Sequence, residues 1–193
     1  MYEAKNFEPL LGTSGFGDEL LKNHFTLYGG YVTNTNKLAD ALATMLKDGR
    51  ADTPEYSELK RRFGWEFDGM RLHELYFGNL VNGGNALDES SDLAKKINAE
   101  FGSVPAWEKD FRAVGAMRGV GWVVLYHDKD ADRLFNAWIN EHDAGHLTGC
   151  VPLLVMDVFE HAYLTQYGLK RADYIETFMK AVDWKIIEER LTK

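Results

Sequence analysis

The sequence predicts an α+β protein in which a helical hairpin precedes a short sheet flanked by further helices. In the first half, two long stretches repeat apolar residues at every third or fourth position, which is typical of amphipathic helices. Later, three short runs are apolar, two of them rich in aromatic or β-branched residues, which is typical of strands. The glycine-rich stretch 82–85 separates the helical pattern from the strand-like runs. We therefore expect lobes at residues 1–84 and 85–193.

The first predicted helix begins at Asp18, the expected N-terminal cap, after an irregular glycine-containing segment. Its apolar pattern allows either a bend at Gly29-Gly30 or a continuous helix through Leu46. The second predicted helix covers residues 58–80, where apolar side chains recur at threes and fours. An antiparallel pairing of these two helices would bury both apolar faces.

The second half contains shorter elements. Ser90 or Ser91 is expected to cap a helix through Phe101, and Pro105 to open another that runs to Arg118. Strands are expected over 121–126, 134–139 and 151–156, and helices over 172–179 and 184–191.

Composition limits the possible partners and compartments. The net charge is −8 and no basic run interrupts the acidic balance, which argues against binding to nucleic acid or an anionic membrane. The one cysteine, Cys150, cannot form an intrachain disulfide, which favours a reducing compartment. The N-terminus resembles no targeting segment, and no stretch has the length of a membrane span. We therefore expect a cytoplasmic protein without nucleic-acid or membrane partners.

The best candidates for chemistry are Asp157 and His161, which follow the apolar run 151–156. A carboxylate at the end of a buried strand is costly unless a partner, usually a metal ion, compensates its charge. The pair alone is weak, because Asp and His four residues apart often form a surface hydrogen bond. Its interpretation depends on the other histidines of the chain.

Two of the other five histidines lie on the apolar faces of the predicted hairpin helices: His24 and His73. Taken singly, each is more typical of a core histidine that bonds a carbonyl. Together with Asp157 and His161, however, they would supply three imidazoles and one carboxylate. That set suits a single iron or manganese ion and leaves space for solvent.

Other metal patterns fit less well. The sequence contains no paired Glu-x-x-His motifs and no His-Glu-x-x-His motif, which argues against a di-iron bundle site and a zinc protease site. His142-Asp143 and His127-Asp128 are similar to the His-Asp pairs of metal phosphohydrolases, so a metal-dependent hydrolase stays an alternative. Both pairs lie in turn-like regions, and His127 is expected to be a solvated loop residue.

The segment 157–163, with the sequence Asp-Val-Phe-Glu-His-Ala-Tyr, resembles the D-x-[WF]-E-H-A-Y signature of the iron/manganese superoxide dismutase family. This seven-residue motif is highly specific. Further stretches similar to the family occur at 31–36, 101–103, 118–122, 140–142, 166–167, 170–174 and 183–184. The resemblance therefore covers nearly the whole chain, less firmly before residue 18.

The resemblance implies an α-hairpin followed by an α+β domain with a three-stranded antiparallel sheet. It also implies that one iron or manganese ion per chain is bound by four ligands, His24, His73, Asp157 and His161. The implied activity is conversion of superoxide to dioxygen and hydrogen peroxide. Tyr31 would act in proton relay, and His142 would tune the metal without binding it.

The resemblance further implies a homodimer, or a tetramer built from it, through Glu160, His161 and Tyr163. A Glu160 from a second subunit would accept the outer N–H of His161 across a two-fold axis. Attraction of the anionic substrate must be local in an acidic chain, and Lys170 and Arg171 are candidates, unless they form only a solvated basic pair.

The sequence departs from the family pattern around the first ligand. His24 and Tyr31 are seven residues apart, where the family usually has eight, and the usual gateway histidine is absent. Seven residues are almost two α-turns, so a regular helix still directs both side chains the same way. Gly69 stands where many iron enzymes have glutamine, and Phe77 and Phe159 where many members have tryptophan. A scaffold that has lost catalysis is therefore a second alternative.

Overall fold

The computed structural model describes residues 1–192 and confirms the α+β class. Two long helices come first, three strands form one antiparallel sheet, and shorter helices surround it. The helices are α1 Asp18–Lys47, α2 Pro54–Phe77, α3 Asp92–Phe101, α4 Val104–Gly115, α5 Leu164–Tyr167, α6 Arg171–Ala181 and α7 Trp184–Thr192, and the strands are β1 Gly121–Asp128, β2 Arg133–Asn140 and β3 Val151–Asp157. Short 3-10 turns occupy Glu8–Leu10 and Glu160–Ala162.

The first helix does not bend into two at Gly29-Gly30 but runs through them as one continuous helix, which was the second of the two expected arrangements. Asp18 is not its cap, which corrects the sequence-based expectation. Gly17 occupies the cap position, and the Asp18 carboxylate instead accepts the Gly12 N–H at 2.8 Å. The carboxylate therefore closes the preceding turn, while its charge still lies in the first turn of the helix.

The second helix begins and ends earlier than its apolar pattern suggests. Thr53 caps it by accepting the Tyr56 N–H at 3.2 Å, and Pro54 is the first helical residue. Proline fits there because its missing N–H would have no partner in the first turn. The helix ends at Phe77, so Leu80 lies outside it and forms an isolated bridge with Val182.

Ser91 caps α3 as expected, whereas the cap of α4, Ser103, was not predicted. Ser91 accepts the Ala94 N–H at 3.1 Å, and Ser103 accepts the Ala106 N–H at 3.2 Å. Pro105 lies in the first turn of α4, as predicted, but the helix ends at Gly115 and not at Arg118. The division of the chain at residue 84 stays a prediction.

All three expected strands are present, each one or two residues longer than predicted. The sheet has the order β2-β1-β3, and β1 is central and almost wholly buried. Its register pairs Trp122 with Asp157. The indole of a central strand and the carboxylate at the end of β3 are therefore side by side.

The expectation that His127 is a solvated loop residue is wrong. The apolar run of β1 continues through His127, whose exposure is 6%, and its Nε2 lies 3.0 Å from Asp132 Oδ1. Asp132 returns toward the strand because its backbone adopts φ +54° in the hairpin turn. A short turn thus provides a partner for one nitrogen, Nε2, of this buried imidazole.

One guanidinium group connects the C-terminal helix, α7, to α2 and β3. Arg190 donates to Asn79 Oδ1 and to the Leu153 carbonyl, each at 2.5 Å, and to the Leu75 carbonyl at 3.2 Å. Burial lowers the pKa of Arg190 to about 10. Within residues 1–192, no helix combines the length and the apolarity that a membrane crossing requires.

Replacing Arg190 with methionine should lower the free energy of unfolding by about 1–3 kcal/mol, since buried acceptors would lose their donor. Urea denaturation would measure this change. Lys185→Met is the control, because Lys185 is exposed on the same helix and its loss should change the stability by less than about 0.5 kcal/mol. Equal effects of the two substitutions would contradict a specific role for Arg190.

Candidate metal centre

Four side chains from distant parts of the chain meet in one place. His24 comes from α1, His73 from α2, Asp157 from the end of β3, and His161 from the following 3-10 turn. One potential ligand atom from each residue lies within 4.8 Å of the others. His24, His73 and Asp157 are buried, whereas the His161 side chain is 28% exposed. The structure therefore brings together the four residues that the sequence suggested as ligands.

The Asp157 carboxylate is the centre of this group. Its Oδ2 lies 3.1 Å from His24 Nε2, 3.0 Å from His161 Nε2 and 3.6 Å from His73 Nε2. The other oxygen, Oδ1, accepts the Phe159 N–H at 2.8 Å, and this bond fixes the plane of the carboxylate. Three Nε2 atoms around one oxygen are arranged as ligands of a common ion would be.

His73 provides a direct test of whether a cation fits. Its Nδ1–H donates to the Gly69 carbonyl at 2.6 Å, so Nε2 carries the lone pair. That Nε2 is buried and has no hydrogen-bond partner. Because an unpartnered buried acceptor is costly, a bound metal ion is the simplest group that satisfies it.

The charges of the cluster also suit a cation. Burial would raise the pKa of Asp157, but the charge and hydrogen bond of His161 and the hydrogen bond of His24 hold that pKa well below its ordinary value. Burial lowers the pKa of His24 although Asp157 opposes the shift, and burial lowers the pKa of His73 further. An ionised carboxylate beside the imidazoles of His24 and His73, whose pKa values are lowered, suits a bound cation.

His142 lies beside the cluster with its protonation defined by its neighbours. Trp122 Nε1–H donates to His142 Nδ1 at 3.0 Å, so the ring proton of the neutral imidazole is on Nε2. That Nε2 lies 2.7 Å from Tyr31 Oη. Burial lowers the pKa of His142 to about 4, which keeps the ring neutral near pH 7.

Tyr31 faces the same space from α1. Its ring is stacked on His73 with centroids 5.1 Å apart and an angle of 28° between the planes. The seven-residue spacing from His24 is thus compatible with a regular helix that directs both side chains to one site. Burial raises the pKa of Tyr31, so the phenol keeps its proton.

Comparison with known proteins agrees with this geometry. Residues 89–190 match the family described as iron/manganese superoxide dismutases, C-terminal domain. The chain is 36% identical to a protein named superoxide dismutase [Fe] of Aquifex pyrophilus over 184 residues, which are 93% of this chain and 85% of the relative. The chain belongs to the iron/manganese superoxide dismutase family.

Relatives with both metals in their names occur among the similar proteins. One named superoxide dismutase [Fe], from Cupriavidus metallidurans, is 36% identical over 192 residues and covers 96% of this chain and 93% of its own length. Another named superoxide dismutase [Mn] 2, from Haloferax volcanii, is 33% identical over 183 residues, with 95% and 88% covered. The similarity therefore does not distinguish the two metals.

In this member of the iron/manganese superoxide dismutase family, the Tyr31 ring packs directly over Gly69. A Cβ atom at Gly69 would lie 2.7 Å from Tyr31 Cδ1, so the tyrosine ring fills the space of a side chain at that position. Tyr28, four residues after His24, bonds Glu74 Oε1 at 3.1 Å and accepts the Lys5 N–H at 3.0 Å. The helix position near the missing gateway histidine is thus tied to the N-terminal segment.

Sequence reasoning missed Trp65 and named Phe159 only as a departure from the family's tryptophan. Trp65 contacts both Tyr31 and His142, at centroid distances of 5.4 and 4.4 Å. Its signal was the spacing, since Trp65, Gly69 and His73 share one face of α2. Phe159 stacks on His142 at 4.7 Å, as a large aromatic residue in the signature motif should.

The two basic residues suggested for substrate attraction are not a simple solvated pair. Arg171 donates to the carbonyls of Met117 at 2.5 Å and Gly119 at 2.7 Å, and also to that of Val158. Its guanidinium therefore holds the segment before β1 against the segment after β3. Lys170 is exposed.

Gly69→Ala should reduce the free energy of unfolding by about 1–3 kcal/mol, because the added methyl group overlaps the Tyr31 ring. This loss would outweigh the gain in helix propensity, which is about 1 kcal/mol. Gly64→Ala is the matched control, since nothing lies within 4 Å of its Cβ position in the same helix, and it should stabilise the protein. Urea denaturation of both variants measures the difference, and a stabilised Gly69→Ala protein would contradict the packing described.

Proposed function

We propose that this chain is a superoxide dismutase with one iron or manganese ion bound by His24, His73, Asp157 and His161. The observation that carries the proposal is the buried, unpartnered Nε2 of His73, which faces the Asp157 carboxylate in a member of this family. The donor set of three imidazoles and one carboxylate suits either metal.

A metal held by these residues would supply one-electron exchange with superoxide, since iron and manganese both have accessible divalent and trivalent states. One superoxide is oxidised to dioxygen, and a second is reduced to hydrogen peroxide as it takes up two protons. The protein must therefore supply an anion-accessible site and a source of protons.

Tyr31 and His142 are the groups best placed for the proton supply. His142 Nε2–H donates to Tyr31 Oη, so this bond does not use the phenolic proton. That proton remains available for donation into the site. Because the raised pKa of Tyr31 keeps the phenol protonated, we propose that it hands protons to the reduced substrate.

We propose that His142 tunes the metal and does not bind it. The cluster of potential ligand atoms in residues 1–192 does not include His142, and its Nε2 is already bonded to Tyr31. Gly69 has no side-chain donor and no room for one, so His142 and Tyr31 are the polar groups on that side.

The two alternative functions receive less support. A hydrolase built on the pairs His142-Asp143 and His127-Asp128 is disfavoured, because His142 bonds Trp122 and Tyr31 and His127 bonds Asp132. A purely structural scaffold is disfavoured because four potential ligand residues lie close enough together to hold one ion.

We also propose a homodimer, or a tetramer built from it, through Glu160, His161 and Tyr163. Glu160 is exposed in the single chain, and the His161 hydrogen bond to Asp157 uses Nε2, which leaves Nδ1 to face a partner's carboxylate. Exposed apolar side chains occur before β1, at Met117 and Val120, and after β3, at Leu164 and Leu169. Covering them would favour association.

Superoxide is thus the proposed substrate, and the second subunit the proposed protein partner. The acidic net charge of −8 supports the absence of nucleic-acid and membrane partners, and the single cysteine supports a cytoplasmic location. Both stay predictions from composition.

Asp157→Ala and His161→Ala should each reduce the metal content from one ion per chain to nearly none and abolish dismutation, because each removes a ligand of the buried site. Elemental analysis of the wild type and the variants, all produced in the native source, measures the metal content. A superoxide-consumption assay of the same samples measures the activity. Asp132→Ala is the control, since this aspartate is exposed and bonds His127. Full activity in either ligand variant would refute the assignment.

His142→Ala should behave differently from the ligand variants. We expect it to retain its metal while losing activity by about 10–100-fold, since it removes a hydrogen-bond partner and not a ligand. Loss of metal equal to that of Asp157→Ala would contradict the tuning role. A phosphatase activity with a redox-inactive metal would instead support the hydrolase alternative.

Glu160→Ala should weaken dimerisation and metal retention together, the latter by about 10–100-fold, because His161 would lose its partner across the interface. Sedimentation velocity and metal analysis at several protein concentrations measure the two effects. Glu89→Ala serves as the control at another exposed site. A fully active monomeric wild-type protein would overturn the interface.

A further inference from the structure

We propose that His146 is a positioning residue, which holds the backbone of His142 and thereby sets where the His142 imidazole lies in the metal site. This inference rests on the proposed function of His142. The observation behind it is a hydrogen-bonded chain from Tyr126 through His146 to the His142 carbonyl. His146 itself is not among the potential ligands of the metal.

The direction of the two hydrogen bonds follows from the groups involved. His146 Nε2 lies 2.7 Å from the His142 carbonyl oxygen, which can only accept, so Nε2 carries the proton. In the neutral ring Nδ1 is then an acceptor, and Tyr126 O–H donates to it at 2.8 Å. Asp68 Oδ2, at 3.8 Å from Nε2, is too distant for a competing hydrogen bond.

Tyr126 anchors this series of hydrogen bonds in the sheet. It lies in β1 with an exposure of 2%, and burial raises the pKa of its phenol, which stays protonated as a donor. The side chain of His146 is 30% exposed, so it adds little to the core. The main effect of its two hydrogen bonds is therefore to fix the position of the His142 carbonyl.

The segment that carries His142 needs such a restraint. Glu141 adopts φ +52°, a conformation that is unfavourable for residues other than glycine. The turn is closed by backbone bonds between Asn140 and Ala144, at 2.7 and 3.3 Å. On its outer side, Glu141 Oε2 accepts the Trp65 Nε1–H at 3.1 Å.

His142 is thus held at both its backbone and its ring. Trp122 and Tyr31 bond the ring nitrogens, while His146 bonds the carbonyl of the same residue. Loss of the carbonyl bond lets the turn relax, and the 2.7 Å contact between His142 Nε2 and Tyr31 Oη must adjust with it. Small displacements of such groups affect rates strongly, because proton donation depends on distance and angle.

The test compares four variants of the full-length protein: His146→Leu, His146→Gln, Tyr126→Phe and His127→Leu. His146→Leu removes both hydrogen bonds, whereas glutamine keeps an N–H for the His142 carbonyl. Tyr126→Phe removes only the hydroxyl group that donates to His146 Nδ1. His127→Leu is the matched control, because this second histidine of the sheet region bonds Asp132 instead.

We expect His146→Leu to retain its metal and lower kcat/KM by about tenfold. The metal's midpoint potential should shift by about 59 mV, the one-electron equivalent of tenfold. In metal-free protein, the NMR resonance of the Trp122 indole N–H should move upfield as its bond to His142 weakens. His146→Gln should restore most of each value, Tyr126→Phe should give a smaller change in the same sense, and His127→Leu should match the wild type.

The outcomes separate this inference from the proposed function. Absence of a redox-active metal and of dismutation in the wild type would refute the function, while the indole resonance would still test the contact. An active wild type with unchanged activity, potential and indole resonance in His146→Leu would refute the positioning role. Equal losses in the leucine and glutamine variants would also refute it, since the donor to the carbonyl would not be the cause.

Discussion

The whole structure depends on one buried carboxylate. Asp157 lies at the end of β3 with no solvent exposure, and its charge is offset by His161 and the Phe159 N–H in the following turn and by His24 from α1. Both hairpin helices must approach the sheet to bring His24 and His73 against it. Tyr174 adds an O–H donor to the Asp157 carbonyl at 2.7 Å, so α6 is held at the same point. An uncompensated charge there would cost several kcal/mol, which makes the packing of these elements interdependent.

Much of this arrangement could be predicted from local patterns. Apolar spacing of 3.6 residues located both long helices, a serine cap located α3, Pro105 located α4, and the short apolar runs located all three strands. The four candidate ligands could be predicted because each one interrupts an apolar face or follows a buried strand. Boundaries were less certain, since Asp18 closes a turn and Thr53 caps α2 through contacts that periodicity does not report.

The remaining features depend on contacts between distant residues. No local pattern shows that Gly69 makes room for the Tyr31 ring, or that Trp122 determines which nitrogen of His142 carries the proton. His127 was misplaced for the same reason, because its partner Asp132 becomes available only through a left-handed backbone turn. Side-chain protonation and the shape of a site are properties of the assembled fold, whereas helices and strands are mostly properties of the segment.

The convergence of ligands from both halves of the chain has a consequence for how an ion is exchanged. His24 and Asp157 are separated by 133 residues, and both are inaccessible to water in the folded chain. Full release of His24 from Asp157 requires the helical hairpin to separate from the sheet, which is a large opening and therefore a rare one. The identity of the ion would then depend on which metal ions are available while the chain folds around it. An ion enclosed in this way would reflect the metals present during folding more than later competition between them.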